Sequence, residues 1–138
     1  MVIHSVVRDQ PLLDRISREA KAHMLSKLSA DVAPHHFHKQ LSNADFQIFY
    51  HAPALILISA VGVDAWAVED CLLAAKNLML RACTVGLGTC WIGFAQSWLG
   101  TPDGKASLSL PVAPIIVGHP KAPTPPVARK ALEVQWVG

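Results

Sequence analysis

The chain has 138 residues, of which 51% are hydrophobic and 16% charged, and its formal net charge is +2. That length fits one domain with a real core, and the scattered basic residues form no stripe or aromatic platform for nucleic acid. Three cysteines, Cys71, Cys83 and Cys90, lack metal or redox spacing, and their odd number argues against a disulfide framework.

In chain order, residues 1–7 are rich in Val and Ile and read as a strand. A turn at Arg8-Asp-Gln-Pro11 leads into an amphipathic helix from Leu12 to Leu28, with Pro11 suited to the first helical position. Residues 29–44 are polar and broken at Pro34, which predicts a loop with a short helix. Pro53 to Ala60 is a continuous apolar run, the pattern of a strand buried on both faces. Gly62-Val-Asp64 turns into the next helix, with Asp64 as its expected N-cap.

The helix that follows is the predicted centre of the fold. From Val68 to Val85 it holds no Gly or Pro, and apolar residues recur at Cys71, Leu72, Ala75, Leu78, Met79, Ala82, Cys83 and Val85. This is a wide apolar face at helical spacing, so the helix is expected to be buried. Glu69 and Asp70 suit its N-terminal dipole and Arg81 its C-terminal end. Gly86 and Gly88 are expected to stop it. Thr89-Cys-Trp-Ile-Gly93 reads as a short strand, Phe94 to Leu99 as one or two helical turns, Thr101-Pro-Asp-Gly104 as a turn, and Pro111 to Val117 as another buried strand. Residues 121–127 carry three prolines, directly after Pro120, and predict an extended arm. The stretch 131–137 fits an edge strand or a segment reaching a neighbouring subunit. Strands alternating with helices predict an α/β layered domain around a mixed sheet.

Several of these segments also resemble the nitroreductase family. The resemblance is carried by Glu69-Asp70 with Ala74-Ala-Lys-Asn-Leu78, and by Gly86-Leu-Gly-Thr-Cys-Trp-Ile-Gly93. Ala52-Pro-Ala-Leu-Ile-Leu-Ile-Ser-Ala60, Pro114-Ile-Ile-Val-Gly-His-Pro120 and Arg129-Lys-Ala-Leu-Glu133 agree in order. The resemblance implies one nitroreductase-like domain over residues 1–138, a homodimer with FMN at the subunit interface, and NAD(P)H as the electron source. The acceptor would be a nitroaromatic, a quinone or a similar small molecule. Family members usually carry an Arg-rich segment before the first strand, ending near Gln-Pro-Trp. Met1 falls about where that motif would be, so FMN is expected to bind more weakly here. A non-catalytic dimeric remnant, or a ligand-binding module with little or no flavin binding, is the alternative.

The candidate site follows from the same motifs. Thr89, Cys90, Trp91, Ile92 and Gly93 form the expected flavin wall. Gly93 lets main chain approach the ring, and Trp91 or Ile92 offers flat apolar contact. Arg129 and Lys130 are the expected phosphate clamp, since guanidinium donors match phosphate oxygens. No side chain is required as acid or base. A dinucleotide-loop reading of Gly86-x-Gly88 fails because Trp91 stands where the third glycine is needed and the loop follows a helix. His35-His36-x-His38 has no nearby further ligand and reads as a polar surface loop rather than a metal site. Cys90 has no base beside it and is expected to be buried packing, and all three thiols are expected to be buried and reduced. Tyr50-His51 precedes a buried strand and is explained equally by capping, packing or reach into a pocket.

No basic-then-apolar leader opens the chain, and the uncharged stretch from Ala82 to Pro102 contains four glycines, unlike a membrane span. The expected location is the cytoplasm. So apolar a composition in so short a chain also predicts an apolar surface that meets a partner.

Overall fold

The computed structural model describes residues 1–27, 35–62, 65–108, 112–122, 125–131 and 133–137, with only the backbone of His35 and His36. Its elements are β1 (Val2–Val7), α1 (Gln10–Lys27), α2 (His35–Ser42), β2 (Ala54–Ala60), α3 (Ala67–Thr84), β3 (Gly88–Trp91), α4 (Gly93–Leu99), α5 (Pro102–Leu108) and β4 (Ala113–Gly118). The strands form one sheet in the order β1-β2-β4-β3. Every pairing is antiparallel, with registers such as Ile3↔Ser59, Ile56↔Ile115 and Cys90↔Ile116. The layered α/β expectation therefore holds, while the expected mixed sheet is replaced by antiparallel pairing. The alternation of strand and helix had suggested parallel neighbours. In fact β2 and β3 do run parallel to each other with α3 as their crossover, but β4 is inserted between them.

The period-two alternation of the central strands divides the core in two. Leu55 and Leu57 of β2 and Ile116 of β4 face α1 and α4, where they join Leu13, Ile16, Ala20, Ala95, Trp98 and Leu99. Ile58 and Ile115 face the other way, onto Cys71 and Ala75 of α3. Each large side chain taken fully out of water contributes roughly 1.5–3 kcal/mol. The α1 side is the larger core and includes Ile48 and Phe49 from the loop before β2. There Ile48 donates its N–H to the buried Ser17 hydroxyl at 3.0 Å, which ties that loop to α1.

The predicted buried helix is corrected by the structure. α3 buries Cys71, Ala75 and Ala82 on the sheet, whereas Val68, Leu72, Leu73 and Leu80 are exposed. Its apolar face is wider than one sheet can cover, so periodicity marked the helix correctly but overstated its burial. Gly86, at φ +75°, ends α3, and Leu87 donates back to the Ala82 carbonyl at 2.9 Å, as left-handed caps do. Gly88 takes no part in that stop and instead opens β3. Asp64, the expected cap, lies outside the described residues, and the cap position is held by Trp66, whose side chain does not cap the helix.

The predicted turn at Thr101–Gly104 is in fact the start of a helix. Pro102 takes the first position of α5, and Thr101 Oγ1 accepts the Gly104 N–H at 3.1 Å while donating to the Trp98 carbonyl at 2.6 Å. Turn and N-cap chemistry use the same residues, which is why the helix start was read as a turn. The predicted arm has no regular structure among its described residues, and neither does 131–137, so an edge strand there is ruled out for the described residues. Among the described residues, no helix is long and apolar enough to cross a membrane.

Candidate functional site

β3 ends at Trp91, and one residue later the chain turns into α4. Ile92, at that junction, donates its N–H to the Pro114 carbonyl at 2.9 Å, so the turn is pinned to the neighbouring strand. Beside this turn is an apolar groove of about 230 Å³, lined by Met24, Tyr50, Cys90, Trp91, Ile92, Gly93 and Phe94. A Cβ placed on Gly93 would meet nothing within 4 Å, so main chain borders open space there.

A second cleft, of about 420 Å³, adjoins the groove and shares Tyr50 and Cys90 with it. Its wall includes Thr89 from β3 together with His51, His119 and Lys121, and no described residue lining it is acidic. Its size lies within the range of small-molecule sites. The two spaces thus differ in chemistry: one is apolar, the other carries cationic and imidazole groups.

The five predicted wall residues are therefore brought together. Their roles divide differently from the expectation, however. Ile92 is only 2% exposed and its side chain joins the α1 core, so it gives little flat surface to a ligand. Trp91 is half-buried and packs partly on the α3 side. Cys90 is exposed, not buried, because β3 is an edge strand, and Cys83 is exposed as well. Cys71 is the buried thiol. Burial pushes its pKa up, and the neighbouring Asp70 carboxylate adds to the effect. Arg129 and Lys130 lie on the exposed arm and line neither space. His38 sits on α2, exposed, within 3.3 Å of the Ser42 hydroxyl one turn later. The side chains of His35 and His36 lie outside the described residues.

For Tyr50 and His51 the sequence left reach into a pocket level with capping and packing, and the structure places both on a cavity wall. Tyr50 and His51 sit just before β2 with φ of +53° and +54°, left-handed values that side chains other than Gly rarely adopt. Such consecutive outliers cluster at ligand clamps. The only signal in the chain was their place at the mouth of a buried strand. His119 and Lys121 were legible in part, since Gly118-His-Pro120 ends β4 within a motif already singled out.

Similarity to known proteins agrees with this layout. The model of the nitroreductase family matches residues 3–110. Among solved structures, a nitroreductase with bound FMN from Bacteroides fragilis aligns with 99% of this chain and 76% of its own, at TM-score 0.80 and 22% identity. Another with bound FMN, from Desulfitobacterium hafniense, covers the same shares at TM-score 0.75 and 19% identity. An oxidized iodotyrosine deiodinase bound to FMN and 3-iodo-L-tyrosine has the same coverage, a TM-score of 0.65 and 19% identity. No curated protein sequence matches the chain. At such identities the structures speak for the fold, and the sequence match speaks for descent. Because the crossover helix α3, the edge strand β3 and the glycine turn into α4 all fall inside the matched stretch, this chain belongs to the nitroreductase family.

Proposed function

We propose that the chain is an FMN-dependent oxidoreductase that carries electrons from NAD(P)H to nitroaromatic, quinone or similar small acceptors. The observation that carries this reading is the pair of adjoining spaces. An apolar groove beside Gly93 suits a planar ring, and the cleft holding His51, His119 and Lys121 suits the polar, anionic remainder of the cofactor. FMN, when bound, supplies the hydride and electron chemistry that the side chains lack. The protein's part is positional. Gly93 admits the ring against main chain, and Trp91 and Phe94 exclude water from its edge. Thr89 and Cys90 border the passage between the two spaces.

In this reading Arg129 and Lys130, which line neither space, bring further positive charge to the phosphate from just beyond the proline-rich residues 121–127. What supports it is that Lys121 of the cationic cleft is also the first residue of the proline-rich arm that leads to them. The exposed apolar face of α3, with Leu72 and Leu73, supports a homodimer, since monomers seldom leave such stripes uncovered. Free thiols at all three cysteines accord with a reducing compartment such as the cytoplasm.

Titrating the purified protein with FMN tests the proposal. The expected result is saturable quenching of flavin fluorescence, followed by loss of visible flavin absorbance on adding NADH or NADPH without oxygen. Absence of uptake at high FMN overturns the reading. Uptake without reduction leaves a ligand-binding module instead.

A further inference from the structure

We infer that Tyr50 determines which planar acceptors the site accepts, and that Gln47 is the positioning residue that holds it there; the inference rests on the flavin-site reading above. Tyr50 is the aromatic side chain common to both spaces, and it is 54% exposed. An exposed phenol ring at the junction of an apolar groove and a cationic cleft can stack on a conjugated ligand and donate its O–H to a ligand oxygen.

Its placement is enforced. Tyr50 donates its N–H to the Gln47 carbonyl at 2.8 Å, and Ala52 donates to the Phe49 carbonyl at 3.0 Å. The Gln47 side chain, only 8% exposed, accepts the N–H groups of Phe49 at 2.7 Å and His51 at 3.3 Å through Oε1. Its Nε2 donates to Asp14 Oδ1 on α1 at 3.1 Å. One buried amide therefore links the turn to a long helix and keeps residues 50 and 51 in left-handed backbone. The ring itself meets Phe46 edge to face at 5.7 Å, and Phe46 meets Phe94 of the groove at 6.2 Å. Aromatic packing thus ties the ring to Phe94 of the groove through Phe46.

Backbone strain of this kind is removed most simply by glycine. The protein instead carries a tyrosine at the strained position that lines both spaces, which is sensible only if the ring has a task. That task is recognition of the acceptor, because Tyr50 lines the groove together with Trp91, Gly93 and Phe94.

The test begins with FMN content and the rate of flavin reduction by NAD(P)H, which report on the flavin-site reading alone. Acceptor selectivity then reports on Tyr50. The ratio of kcat/KM for a naphthoquinone to that for ferricyanide, which needs no seat on a ring, is measured in four proteins: wild type, Tyr50→Gly, Gln47→Leu and the double variant. Tyr50→Gly relieves the backbone and so folds. Its ratio should fall roughly twofold to twelvefold, the size of one lost aromatic pair, with the change in KM for the quinone rather than in kcat. Gln47→Leu should lower the ratio in the same way, and the double variant should show no further fall, because Gln47 acts through Tyr50. An unchanged ratio in Tyr50→Gly overturns the inference even where flavin is bound and reduced. Additive losses in the double variant remove Gln47 from the role.

Discussion

Gly104 offers a sharp test of how the site is supported. It is buried in α5, and a Cβ built there would overlap the Trp98 carbonyl oxygen and lie 2.6 Å from Leu99 Cα. Both contacts are backbone atoms of α4, the helix whose first turn holds Gly93 and Phe94, so neither can yield by rotating a side chain. Gly104→Ala gains about 1 kcal/mol of helix propensity. Against this, forced overpacking costs about 1–3 kcal/mol. Loss of the Gly104 N–H to Thr101 hydrogen bond costs about 1 kcal/mol more. The expected net destabilisation is about 1–3 kcal/mol, a fall in Tm of roughly 3–12 °C for a chain of this size. The control is Gly100→Ala, four residues earlier. There the backbone is right-handed at φ −74° and the new Cβ lies an ordinary 3.4 Å from the Ser97 carbonyl oxygen. That variant should be neutral or gain about 0.4–1 kcal/mol from a stiffer unfolded chain. Thermal melts by circular dichroism decide the matter. If Gly104→Ala melts at or above Gly100→Ala, the close approach of α5 to α4 is not what it is described to be.

Three further outcomes are expected. Thr101→Ala removes the cap of α5 and should lower stability by about 0.5–2 kcal/mol in urea titrations, whereas Thr101→Ser should retain most of it. Arg129→Ala should weaken FMN binding by about 1.5–3 kcal/mol, while riboflavin, lacking the phosphate, binds both proteins alike; equal FMN affinity would take Arg129 out of the site. In native protein a thiol reagent should modify Cys83 and Cys90 quickly and Cys71 only on unfolding. Since Cys71 is raised by burial and by Asp70, the folded state holds its proton longer than the unfolded state. Its contribution is fully present below about pH 8.5 and declines as pH rises above that; a Cys71→Ala protein whose stability has the same alkaline slope would count against this.

Much of the fold could be read from the chain because its elements follow simple periods. The run Ala54–Ala60 has no charged residue, and it is indeed a central strand. The glycine pair after α3 marked a stop, and one member serves as such. What failed were matters of surroundings. The exposure of Leu72 and Leu73 depends on how wide a sheet lies under α3, and the exposure of Cys90 depends on β3 being at an edge. Neither is a local property. The wall of the site containing Thr89–Gly93 was legible because a compact motif spells it. The facing wall was not, because Gln47, Tyr50 and His51 acquire their geometry from a hydrogen bond to Asp14, thirty-three residues away in sequence.

The insertion of β4 between β2 and β3 also shapes how the chain emerges during synthesis. β1 is made first and can cover one edge of β2 at once. The other edge has no partner until residues 113–118 are made, and residues 61–112 intervene. At ordinary elongation rates that interval lasts about 3–10 s. For that time Leu-Ile-Leu-Ile presents open N–H and C=O groups on an apolar ribbon, the surface on which other chains pair and aggregate. A chain halted before β4 should therefore be held by chaperones or precipitate, however sound the part already made.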